Sequence, residues 1–121
     1  MVSDEYIRMS REAMELQEQW EPKPGDMYAR KNLALFVIHG EFAVDKTNYT
    51  WLPRQEDLQE FSLKNGDLQR ITDYTNTFCK FIKKQHKEVT GYNNSWSKLW
   101  LLFVMETVYN KTWTGNGWVK L

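Results

Sequence analysis

Apolar residues in the first twenty positions recur in steps of three and four: Tyr6, Met9, Ala13, Leu16 and Trp20. That rhythm predicts one amphipathic helix over Ser3–Trp20, with Ser3 as its cap and Asp4 and Glu5 at the positive end of its dipole. Glu12, Glu15 and Glu18, with Arg8 and Arg11, fill the solvated face. Pro22, Pro24 and Gly25 end the pattern, because prolines supply no helical N–H. Strand-like material follows: Met27–Ala29, a turn at Arg30-Lys31-Asn32, the apolar run Leu33–Ile38, a turn at His39-Gly40, Glu41–Val44 and Asn48–Leu52. Short turns between sequential strands predict an antiparallel meander. The uninterrupted Leu33–Ile38 run predicts a strand covered on both faces.

Pro53 suits a first helical turn, and Gln55–Leu63 continues it with Leu58, Phe61 and Leu63 inward. Asn65-Gly66 breaks that helix. Ile71, Tyr74, Phe78, Phe81 and Ile82 then carry a helical spacing, predicting a helix from Leu68 to about His86 with Asp67 as its cap. Its Thr-rich and aromatic stretch leaves an extended alternative. Ser95 should cap a last helix, Trp96–Tyr109, which Asn110 terminates in a left-handed conformation. Asn116-Gly117 predicts a type I′ turn in a C-terminal hairpin. The expected fold is α+β: one domain over 1–121, with a small, mainly antiparallel sheet covered by helices. The hairpin could extend the sheet.

At 121 residues the chain is long enough to bury a core without disulfides or metal. Sixteen Lys and Arg cancel sixteen Asp and Glu, so no overall field draws the chain to polyanions. Aromatic residues make 15% of the chain, six of them Trp, and core anchoring is the expected use of those six rings. The apolar run Leu99–Met105 is far short of the roughly 20 residues a membrane span needs. With no signal peptide in the opening residues and a single Cys79, the expected setting is the reducing cytoplasm. The N-x-[ST] matches at Asn48, Asn93 and Asn110 are then coincidental.

Candidate chemistry is sparse. His39, Glu41 and Asp45 alternate in a way that could put three ligands on one strand face, but an exposed turn histidine accounts for His39 more simply. His86 sits in a lysine-rich stretch. Cys79 is expected as a buried or half-buried structural thiol. No nucleotide-binding glycine loop, nucleophile elbow or paired-histidine motif occurs. No catalytic, cofactor-binding or metal-ligating residue is therefore assigned. Lys80, Lys83, Lys84 and Lys87 could offer weak phosphate contacts along one helix face, although an ordinary solvated face looks the same.

The Trp96–Tyr109 helix is apolar nearly all the way round. On a helical wheel Leu102, Met105 and Tyr109 lie within about 40° of Lys98, taking about 100° per residue. Such a helix is either central in its domain or shared with a partner. Lys98, Leu102, Met105, Glu106 and Tyr109 are accordingly the candidate interaction surface, and a homo-oligomer is expected.

Four stretches carry a family likeness: Trp20-Glu21-Pro22-Lys23-Pro24-Gly25-Asp26; Trp51-Leu52-Pro53-Arg54-Gln55-Glu56-Asp57-Leu58-Gln59-Glu60; Ser95-Trp96 through Met105; and the terminal Trp113–Val119. Together they resemble short uncharacterised proteins encoded in phages and prophages of Gram-positive bacteria. The resemblance brings no catalytic residues. It implies a setting, a phage-derived accessory protein in a bacterial cytoplasm. The function ranked first from the residues themselves is non-catalytic interaction, through self-association or with a phage or host protein, with no cofactor expected. Membrane and nucleic acid are not expected partners. The alternative reading is an enzyme or enzyme inhibitor with a site not visible in sequence, followed by weak nucleic-acid binding through Lys80–Lys87.

Overall fold

A computed structural model describes residues 3–30, 34–40, 48–65, 71–84 and 96–121, with the backbone alone at 71, 72, 74 and 84. The elements are α1 (Asp4–Glu12), α2 (Met14–Glu18), β1 (Met27–Arg30), β2 (Leu35–Val37), β3 (Tyr49–Trp51), α3 (Gln55–Asn65), α4 (Ile71–Lys84), α5 (Trp96–Tyr109), β4 (Lys111–Trp113) and β5 (Trp118–Lys120). The fold is α+β, as the sequence predicts. Two compact units divide it: residues 1–54 with 113–118, and residues 55–112 with 119–121.

In the first unit, Ser3 caps α1 as expected, its hydroxyl accepting the Tyr6 N–H at 3.1 Å. Tyr6, Met9, Ala13, Leu16 and Trp20 are all buried. The single predicted helix, however, is two. Ala13 (φ −80°, ψ 67°) interrupts it, and its N–H turns back to the Met9 and Ser10 carbonyls. Ala13 and Met14 are good helix formers, so no local propensity announces the break. Its consequence is to aim the Gln17 side chain at the sheet.

That sheet is antiparallel in the order β2-β1-β3, with Tyr28 opposite Phe36 on one side and Trp51 on the other. Arg30 joins the three strands across one face, its guanidinium 4.7 Å from the Phe36 ring and 5.7 Å from Tyr49. The Pro24–Asp26 turn folds around the buried Asp26 carboxylate, which accepts from Trp20 Nε1 at 2.9 Å and Lys23 N–H at 3.1 Å. Gly25, at φ 92°, takes a left-handed conformation that a side chain would strain, and its N–H bonds the Ile38 carbonyl at 2.9 Å. The Trp20 and Trp51 rings stack at 6.0 Å with 1° between their planes.

Leu33–Ile38 differs from expectation. Its described strand, β2, lies at the sheet edge rather than under cover on both faces. An apolar run announces a strand, not which strands flank it: within β2 Phe36 is half-buried between exposed Leu35 and Val37, and Ile38, just past the strand, is buried. The C-terminal strands also differ: β4 and β5 form their own two-stranded ladder and do not extend the sheet. Their turn has its positive φ at Gly115 (98°), not at Asn116 or Gly117, which is the type II′ pattern. The Thr114 hydroxyl fixes it by accepting both the Asn116 and Gly117 N–H groups at 3.3 Å. Trp118 Nε1 donates to the Met9 carbonyl, and Arg8 lies over Trp113.

The second unit is built on α5. Every residue from Leu99 to Met105 is buried. On one side Tyr109 meets Phe61 of α3 at 6.3 Å. On the other, Phe78 of α4 stacks on Trp100 at 3.9 Å, and Phe103 stands edge-on to Phe78, Phe81 and Trp100. Residues 71–84 are therefore helical rather than extended. Leu58 is fully buried, but Leu63 points outward. Asn110 ends α5 at φ 56° as expected. Glu41–Val44, the Asp67 and Ser95 caps and His86 lie outside the described residues.

Candidate interaction surfaces

The five-residue surface predicted on α5 does not stand in water. Leu102 is 7% exposed and Met105 0%, while Lys98, Glu106 and Tyr109 are half-buried. The Tyr109–Phe61 contact shows that this stripe faces α3 of the same unit. The helix is apolar all round because it is flanked on two sides by its own chain, the first of the two alternatives such a helix allows. The premise of a stripe left for a partner is corrected.

Of the four lysines, Lys80 and Lys83 are exposed on α4, nothing is described of the Lys84 side chain, and Lys87 lies outside the described residues. Lys80 stands at a shallow groove of about 350 Å3 between α4 and α5. Thr77, Phe81, Phe103, Glu106 and Thr107 line it with Lys80. Bringing a carboxylate to the same groove offsets the field with which Lys80 would attract a phosphate.

Cys79 is exposed, not buried, because at helical spacing it falls away from the Phe78 and Phe81 positions that face α5. His39 is exposed, while Glu41 and Asp45 lie outside the described residues. Trp96 is 54% exposed, so it is not one of the anchoring rings, whereas Trp20, Trp51, Trp100 and Trp113 are buried.

The surface that sequence reasoning missed is β2. The pairing Met27↔Val37, Tyr28↔Phe36, Ala29↔Leu35 fixes which way its backbone points. Arg30 N–H reaches the Ala34 carbonyl at 3.0 Å and Ile38 N–H the Asp26 carbonyl at 2.9 Å. Positions 34, 36 and 38 thus turn their polar backbone groups toward β1, and alternation turns those of Leu35 and Val37 away from it. The side chains agree: Leu35 is 44% and Val37 40% exposed, on the face opposite Phe36. Among the described residues no strand lies beyond β2.

The other edge is treated differently. On β3, Trp51 N–H donates to Gln17 Oε1 at 2.8 Å, and Gln17 Nε2 donates to the Trp51 carbonyl at 2.9 Å. One carboxamide thus occupies the place a neighbouring strand would take. A second bond from Gln17 Nε2 to the Ser10 carbonyl holds the side chain there. The sequence announces this strand but carries no cue to its place at the edge of the sheet, since an uncharged apolar run points to a covered strand. Comparison with protein-family models, with curated proteins and with solved structures finds no match, so a functional reading rests on the chain's own geometry.

Proposed function

We propose that this protein is a non-catalytic interaction protein, an accessory protein of phage origin acting in a bacterial cytoplasm, and that β2 is the strand through which it holds a partner polypeptide. One observation carries the reading: the sheet closes its β3 edge with Gln17 yet presents Leu35 and Val37 outward at β2. Sheet edges are usually blunted by charge, proline or cover, because an unpaired strand recruits another. A strand bearing neither charge nor proline is suited to strand addition, in which main-chain bonds supply affinity and alternate side chains supply selection. The resemblance to phage and prophage proteins supports the setting.

Site-specific photocrosslinking tests this. p-Benzoylphenylalanine placed at Leu35 or at Val37, in protein produced in a Gram-positive host, should give discrete protein adducts. Met14, more exposed at 59% but on a helix, is the control. Adducts confined to positions 35 and 37 support the reading; none there, or equal labelling at 14, contradicts it.

A further inference from the structure

We infer that the strand β2 receives is β2 of a second copy of this chain, laid antiparallel about a two-fold axis through Phe36. The inference rests on reading β2 as the contact strand and adds the identity of the occupant. A two-fold interface must present the same residues from both sides. Leu35-Phe36-Val37 does so: rotation about Phe36 sets Leu35 of one copy opposite Val37 of the other. Because the outward backbone groups belong to Leu35 and Val37, those opposed residues form the hydrogen-bonded pairs. Each exchanges two N–H to carbonyl bonds, four across the axis, and Phe36 keeps its bonds to β1. The opposed side chains are both aliphatic and partly exposed in the single copy.

Charge favours the same occupant. β2 carries no ionisable residue, so no like charges meet across the axis. The whole chain has sixteen positive and sixteen negative side chains, so two copies approach without net repulsion. Three paired residues a side is a small contact, which places this dimer among weak, concentration-dependent associations.

A cysteine trap reads the register directly. In a Cys79→Ser background, Leu35→Cys with Val37→Cys puts thiols at facing positions whose Cα atoms would be about 5.5 Å apart, within disulfide reach. Mild oxidation at high protein concentration should give a covalent dimer whose peptide map joins position 35 of one chain to 37 of the other. Bridges of 35 to 35, or no covalent dimer, overturn the inference. Sedimentation from low micromolar to several hundred micromolar supplies the second reading. Wild type should show a concentration-dependent dimer, and Leu35→Lys with Val37→Lys, which sets like charges opposite each other, should loosen it at least about tenfold. Circular dichroism of that variant should stay that of the wild type; if it unfolds, Val37→Lys alone replaces it. A wild type that is monomeric throughout overturns the inference. Should the photocrosslinker at Val37 then capture a different protein, β2 remains a contact strand and only its occupant is wrong; should it capture nothing, both readings fall together.

Discussion

Gln17 closes the sheet at Trp51: one carboxamide accepts the Trp51 N–H at 2.8 Å and donates to the Trp51 carbonyl at 2.9 Å. This pairing reproduces what a fourth strand would do and makes the two edges of the sheet unequal. Gln17→Leu would leave both backbone groups, partly buried, without their partner. The expected cost is about 1–3 kcal/mol, read as a lower urea midpoint with an unchanged slope. Gln17→Glu keeps the acceptor and loses the donor, and should fall between the two.

Trp20 and Trp51 stack where the α1–α2 segment meets the sheet, and both are buried. Trp20→Ala and Trp51→Ala should each cost about 3–5 kcal/mol in urea unfolding. Trp20→Phe separates packing from polarity, because a ring remains while the 2.9 Å bond to Asp26 is lost. It should cost less than the alanine variant but more than nothing, since the buried Asp26 carboxylate then keeps only the Lys23 N–H among these two donors. Unchanged midpoints in all three would make these rings surface features.

These anchors were legible in the sequence because helical spacing and turn punctuation place Trp20 and Trp51 at element ends. The Ser3 cap, the Asn110 terminator and the all-apolar α5 were legible for the same reason: each is a local or periodic signal. What was not legible is tertiary. Nothing in Glu12-Ala13-Met14 marks a break, and what accompanies it, Gln17 reaching Ser10 and Trp51, is a tertiary contact that helix propensity does not announce. The run Leu33–Ile38 announces a strand but not its neighbours, so the edge could not be read. The α5 stripe was misplaced because a wheel shows which residues share a face, not that Phe61 of α3 lies against it.

Leu102 and Met105 discriminate between the sequence expectation and the fold. Leu102→Glu with Met105→Glu places two carboxylates where the structure leaves almost no solvent access. Burying unpaired charge in that position should unfold the second unit rather than dissociate a complex. Loss of helical circular dichroism is the expected result; a folded variant of reduced mass in sedimentation would return the interface to α5.

Asn110 holds φ at 56°, a conformation that costs an ordinary residue about 1–2 kcal/mol. Asn110→Ala should lower the melting temperature accordingly, while Asn110→Gly should leave it close to the wild type or above it. Equal effects would mean that the Asn110 side chain, not its backbone conformation, is what matters at the end of α5.

Amide hydrogen exchange followed by NMR at low and high protein concentration tests the β2 account most directly. In dilute protein the Leu35 and Val37 amides should exchange quickly, while Phe36, turned toward β1, and Trp51, closed by Gln17, are protected. Raising the concentration should protect Leu35 and Val37 and leave Trp51 unchanged. Protection of Leu35 and Val37 already complete in dilute protein would show the edge covered by its own chain, and exchange that stays fast at every concentration would show that β2 receives no second copy; either result contradicts the account.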